Sequence, residues 1–218
     1  MSRIVVFAIL LSISLVCTNV FAQQVEMNKN SIVADTTTTN AYFWDDLRIT
    51  LDNGTSGTAL AYFSGTTAGP QIYYFRNNDG LEAMSFTVQM PHSWKEGSRI
   101  YPHLHWTPKT SLKGNVEWNF DYTWANFNAE KREVFPPFKT NTVLSKGPFE
   151  ANTHDITVLT NDNEGIDGTG KKVSSILICR LWRYSSDADD TYNEDAGALF
   201  VDFHIQIDGF GSREEYKK

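Results

Sequence analysis

Between Asn115 and Asn126 the chain alternates without a break. Val116, Trp118, Phe120, Tyr122 and Trp124 fall on one side, and Glu117, Asn119, Asp121 and Thr123 on the other. Successive strand side chains point to opposite faces, so this period of two predicts a half-buried strand. Gly197–Asp208 repeats the pattern, with Leu199, Val201, Phe203, Ile205 and Ile207 expected inward and Asp202, His204, Gln206 and Asp208 outward. Glu82–Met90 sets Met84, Phe86, Val88 and Met90 on one side. Val173–Tyr184 is apolar on both faces, as expected of a central strand covered on both sides. Leu60–Phe63, Gln71–Arg76, Arg99–Trp106 and Asp155–Leu159 are shorter strand candidates.

Turn-forming clusters punctuate these runs at Asn77-Asn78-Asp79-Gly80, Lys113-Gly114-Asn115 and Gly165–Gly170, the last read as a hairpin turn. No stretch holds a helical period beyond two turns. About eight or nine strands with one apolar face each require two packed sheets. The expected fold is all-β, a β-sandwich of jelly-roll type.

The first 22 residues do not belong to this pattern. Arg3 is followed by an apolar run from Ile4 to Val16, then Val20-Phe21-Ala22. That is the layout of a secretory signal peptide cleaved after Ala22, giving a secreted or periplasmic protein. The run is too short, and interrupted too early by Thr18-Asn19, for a membrane anchor. Residues 23–40 are polar, include four consecutive threonines, and read as a flexible stem. Residues 41–218 are then a single domain. Asn53-Gly54-Thr55 is a glycosylation sequon in form.

Composition narrows the partners. The formal charge of −7 and the absence of a basic cluster argue against nucleic acid and against an anionic membrane surface. Of two cysteines, Cys17 leaves with the signal peptide, so Cys179 has no intramolecular disulfide partner. Its apolar run predicts a buried, unreactive thiol.

Catalytic signatures are incomplete. Gly165–Lys172 approaches a phosphate-binding loop, but Lys172 replaces the Ser or Thr that would hold magnesium, and a strand rather than a helix follows. No nucleophile elbow and no HExxH motif occurs. Glu117 and Asp121, four residues apart on one strand face, would sit roughly 13 Å apart, too far for a glycosidase pair.

Histidine is the constellation with chemical content. His103 and His105 share a strand face with Tyr101, and imidazoles two apart on a strand, about 7 Å from each other, can reach one metal. Gly97-x5-His103-x-His105 looks like the first half of the cupin signature, without the glutamate that should follow. His204 is the expected third ligand and Asp202 the substitute carboxylate, for one transition metal. Ser186–Asp195 is rich in oxygen ligands, and its Asp187–Asp195 portion is a candidate calcium loop, although its spacing is not that of an EF-hand. Trp94, in the turn Pro91–Gly97 with no evident core to enter, and Tyr101 are the candidate ligand-stacking aromatics.

Six segments carry a family resemblance: Trp44–Arg48, Gln89–Ser98, Pro102–Trp106, Ser174–Arg180, Val201–Asp208 and Gly211–Glu215. In these the chain resembles an uncharacterised family of β-domain proteins associated with tailed-phage and prophage genomes. The resemblance implies a virion-surface or fibre-tip type of role, binding and assembling as a symmetric oligomer. The signal peptide departs from it, since virion proteins assemble in the cytoplasm. The reading is thus an exported, non-enzymatic β-sandwich for surface recognition or assembly on a glycan or protein. It is expected to be homo-oligomeric, with a trimer favoured. The alternative is a cupin-like metal-binding protein or enzyme built on His103, His105 and His204.

Overall fold

The computed structural model describes residues 25–28, 31–34, 42–51, 54–127, 133–215 and 217–218. The signal segment and Asn53 of the sequon lie outside these residues. The strands are β1 (Val25–Asn28), β2 (Ser31–Ala34), β3 (Phe43–Thr50), β4 (Gly54–Ser56), β5 (Ala59–Tyr62), β6 (Gln71–Phe75) and β7 (Leu81–Gln89). They continue with β8 (Ile100–Pro108), β9 (Asn115–Ala125), β10 (Lys139–Lys146), β11 (Asp155–Val158), β12 (Ile176–Tyr184) and β13 (Ala196–Ile207). Two 3₁₀ turns, Phe63–Gly65 and Asn161–Asn163, are the only helical elements among the described residues.

The chain is all-β, with two packed antiparallel sheets. One is five-stranded in the order β10-β9-β12-β7-β4, the other six-stranded in the order β11-β8-β13-β6-β5 with β3 also on β13. The pairings nest. β9 pairs with β10, β8 with β11, β7 with β12 and β6 with β13. Eight strands folded back on themselves in this way, split as β7-β12-β9-β10 and β6-β13-β8-β11, form a jelly roll. Among the described residues β1 and β2 pair only with each other, so a short hairpin stands inside the stretch expected to be a flexible stem.

The core lies between the sheets and is aromatic. Phe75, Trp106, Trp118, Phe120 and Phe203 are fully buried there with Leu104, Leu177, Leu181 and Val201. Trp118 meets Phe75 and Trp106 edge-on at 5.2 and 5.6 Å, an arrangement that satisfies both ring quadrupoles. Arg183 is also buried, held by Asp190 through two 2.8 Å bonds and by the carbonyls of Phe75, Tyr192 and Glu194.

Four expectations change. The strand expected to be covered, β12, is central in its sheet, yet its outward side chains Ile176, Ile178 and Tyr184 are exposed, because no layer among the described residues packs on that face. Gly165–Gly170 is not a hairpin turn: it lies in the connection from β11 to β12, which belong to different sheets. A Cβ on Gly168 would sit 2.1 Å from the Ser98 carbonyl oxygen, so this turn needs glycine for close approach. Leu199 is half-buried at a bulge, where the register of β13 against β8 shifts between Ala198 and Phe200. The extra residue lets Ala198 stay buried while Phe200, Asp202 and His204, in alternation beyond it, lie on the outer face. Trp94 is fully buried. Its backbone bridges Ile207 and its ring lies 5.7 Å from Trp124, closing one end of the core, so it cannot stack on an external ligand.

Candidate metal centre on the six-stranded sheet

The outer face of the six-stranded sheet is set by the register of three long strands. His103 lies opposite Asp202, which lies opposite Arg48; Tyr101 lies opposite His204, which lies opposite Asp46. His105 lies opposite Phe200 on one side and Ile156 of β11 on the other. Period two keeps these side chains outward while Leu104, Trp106, Val201 and Phe203 enter the core. Four of the five histidines of the chain meet here.

Asp202 is the centre of the group and only 3% exposed. Its Oδ2 accepts a hydrogen bond from His105 Nε2 at 3.2 Å and lies 3.5 Å from His204 Nε2. Its Oδ1 is buried and accepts no hydrogen bond; the same is true of His103 Nδ1, which faces it at 3.7 Å. That separation is too long for a hydrogen bond. It is close to the roughly 3.4 Å expected between two ligands sharing one tetrahedral ion with bonds near 2.1 Å. His103, Asp202 and His204 present ligand atoms that all lie within 4.8 Å of one another, and the rings of His103 and His204 are 4.1 Å apart. Burial, then the neighbouring His204, pushes the His103 pKa below the usual histidine value. Burial does the same for His105. Neutral imidazoles are the form that ligates metals.

The structure thus brings together His103, His204 and Asp202 as the sequence suggests, and it sets His105 apart. Both His105 nitrogens already have partners, Asp202 at Nε2 and His154 Nε2 at 2.8 Å from Nδ1. Tyr101 is half-buried on the same face and meets Trp44 edge-on at 5.6 Å. Trp44 is 53% exposed. Sequence reasoning missed Trp44, Asp46, Arg48 and His154. Asp46 Oδ1 lies 3.2 Å from His204 Nε2, and Arg48 lies over the Phe200 ring at 4.1 Å. The signal for the first three was the alternation of Trp44, Asp46 and Arg48 in β3. His154 sits in a turn before β11, and no periodicity marks it.

The remaining histidine, His92, joins three loops, with Nε2 3.1 Å from Ser174 Oγ and Nδ1 against Ser212 Oγ. In the acidic loop Asp190 is committed to Arg183 and Asp195 to Lys109 at 2.6 Å. Asp187 and Asp189 stay available and converge with Glu117 of β9 within 4.8 Å. Burial raises the Glu117 carboxyl pKa; the hydrogen bond from Asn119 opposes it in part, and Asp187, Asp189 and Asp190 add to the rise. Cys179 is buried, and burial pushes its thiol far up.

No family model matches the chain, and no curated protein matches it in sequence. Among solved structures it is similar to TmCBM61 in complex with beta-1,4-galactotriose, at 14% identity and TM-score 0.31, covering 76% of this chain and 88% of that one. It is also similar to the structure of infectious bursal disease virus, Gx strain, at 10% identity and TM-score 0.38, and Gt strain, at 12% and 0.36. Each match covers 90% of this chain, which spans 39% and 40% of those chains. At these scores the likeness carries no functional argument.

Proposed function

We propose that this chain is an exported recognition module that carries a transition metal ion on the outer face of its six-stranded sheet. His103, His204 and Asp202 are the ligands. The observation that carries the reading is the buried, unpartnered pair His103 Nδ1 and Asp202 Oδ1, facing each other at 3.7 Å beside His204. An unsatisfied buried polar atom costs about 1–3 kcal/mol, and an ion between these two atoms removes both costs at once. Two imidazoles and one carboxylate suit zinc, iron, copper or nickel and leave a coordination position open. Trp44 and Tyr101 lie on the same face and give it an exposed aromatic surface beside the ion, which supports recognition of a ligand there.

The test is zinc titration of the chelator-stripped chain, followed by gel filtration and elemental analysis. One zinc per chain is expected in the wild type, and far less in His103→Ala and His204→Ala. No retained zinc in the wild type, or equal zinc in His103→Ala, overturns the reading. Export is tested separately by sequencing the N-terminus of the protein released from the cell. Gln23 is expected first; an intact Met1 refutes it.

A further inference from the structure

His105 is too well placed to be idle and too fully engaged to bind metal. We propose that His105 and His154 act as one unit that orients Asp202, holding Oδ2 so that Oδ1 stays turned toward His103 Nδ1 and the ion between them. The inference rests on the metal reading above. It assigns positioning roles to one residue set apart from the ligands and one the sequence did not reveal.

Asp202 Oδ2 accepts at 3.2 Å from His105 Nε2, so that nitrogen carries the proton. In a neutral imidazole the other nitrogen, Nδ1, is then a lone-pair acceptor. His154 Nε2, 2.8 Å away, must therefore donate to it. The chain has a single direction: His154 Nε2–H to His105 Nδ1, and His105 Nε2–H to Asp202 Oδ2. Ring contacts hold it in place. His105 stacks on Phe200 at 4.2 Å with 19° between planes, and on His154 at 5.0 Å with 29°. Arg48 lies over the Phe200 ring at 4.1 Å. His105 cannot turn without breaking stacking and both hydrogen bonds.

The consequence is a carboxylate with one oxygen committed and one offered. Histidine–carboxylate contacts around metal sites fix ligand orientation, and their loss typically weakens metal binding ten- to a hundredfold. Here the usual order is inverted, since the metal ligand is the carboxylate and the histidine stands behind it.

Two measurements test this. Long-range nitrogen–proton spectra of the stripped, 15N-labelled wild-type chain should show both His105 and His154 with the proton on Nε2. Zinc titrations should show His105→Ala binding one ion per chain at ten- to a hundredfold lower affinity, with the stripped form still unfolding cooperatively. His105→Gln, whose amide N–H can still reach Asp202, should recover most of that loss, and His154→Ala should lose less than His105→Ala. The proposal is overturned by a His105 with its proton on Nδ1, or by wild-type affinity in His105→Ala. It is equally overturned by loss of the zinc itself in His105→Ala, which would make His105 a ligand. If the wild type binds no zinc, the metal reading fails and takes this role with it. Normal wild-type binding with an unaffected His105→Ala refutes the positioning role alone.

Discussion

Each sheet carries an aspartate on the outward side of an internal strand, and the two are treated in opposite ways. Asp121 of β9 accepts from Thr140 Oγ1 at 2.7 Å, Arg180 Nε at 2.8 Å and Trp182 Nε1 at 3.1 Å, with Arg180 Nη2 at 2.6 Å. Next to it, Asn119 accepts from Thr142 and donates to Glu117. Asp202 of β13 is equally buried but is faced by three imidazoles, and its Oδ1 accepts nothing. Hydroxyl, indole and guanidinium groups present N–H or O–H at every ordinary pH, so they saturate a carboxylate for good. An imidazole offers one donor and one lone pair, and it can release the donor to an ion. The first face is built to be finished; the second is built to take something more.

The largest expected effect sharpens this contrast directly. At zinc a thousandfold above its dissociation constant, binding to the native state alone adds about 4 kcal/mol of stability. That gain should be seen in urea unfolding of the wild type and vanish in Asp202→Ala. In the metal-free state the same substitution should cost only about 1–2 kcal/mol, because it removes the acceptor of the His105 Nε2–H together with an oxygen that has no partner. A metal-free loss as large as the zinc gain would mean that Asp202 is structural, like Asp121.

The second effect runs the other way. Asp121→Ala removes the shared acceptor of three part-buried hydrogen bonds, one of them from a charged group, and should cost about 2–3 kcal/mol. Zinc should not change that figure. Arg180 is partly exposed and can turn to water, which is why the cost stays below that of breaking a fully buried ion pair. If Asp121→Ala proves neutral, the hydrogen bonds of this face are ornamental and the comparison collapses.

The two faces were not equally legible in the sequence. Strict alternation in β9 and β13 separates core from surface, and it brings Asp202 and His204 to the outer side without any knowledge of pairing. The sandwich follows from strand count and from faces that must be buried, while the nested pairing that makes it a jelly roll is set by contacts distant in sequence. β3 and β10 escaped because edge strands bury little. Phe43–Thr50 keeps only Leu47 and Ile49 half-buried, and Lys139–Lys146 has Val143 as its one packed apolar side chain. Missing β3 meant missing Trp44, Asp46 and Arg48. Trp94 was misplaced for a different reason: a turn signal says where the backbone bends and nothing about what lies beneath it. Spacing along one strand makes His105 look like a ligand, because it cannot show that a fourth histidine, forty-nine residues later, already holds its other nitrogen.

The smallest expected effect is one of pH, and the two faces should pull stability in opposite directions. Burial holds His103 and His105 below the ordinary histidine pKa in the native state. As pH falls below about 6.5, the unfolded chain takes up protons first, so metal-free stability falls. It falls until the native imidazoles are protonated too, and above 6.5 the contribution is complete. Glu117 has the reverse sign. Its carboxyl pKa is raised by burial, so between the ordinary glutamate value and that raised value the native state holds the proton that the unfolded chain has lost. Stability therefore falls as pH rises through that window. Urea midpoints of the stripped chain, taken from pH 4 to 8, should separate the two. Glu117→Gln should remove the loss on the alkaline side of the ordinary glutamate value and leave the histidine limb in place. His103→Ala should flatten the limb below 6.5 and leave the glutamate limb unchanged. Parallel curves for both variants would show that neither face carries its own proton linkage, and that the difference between Asp121 and Asp202 ends at their hydrogen bonds.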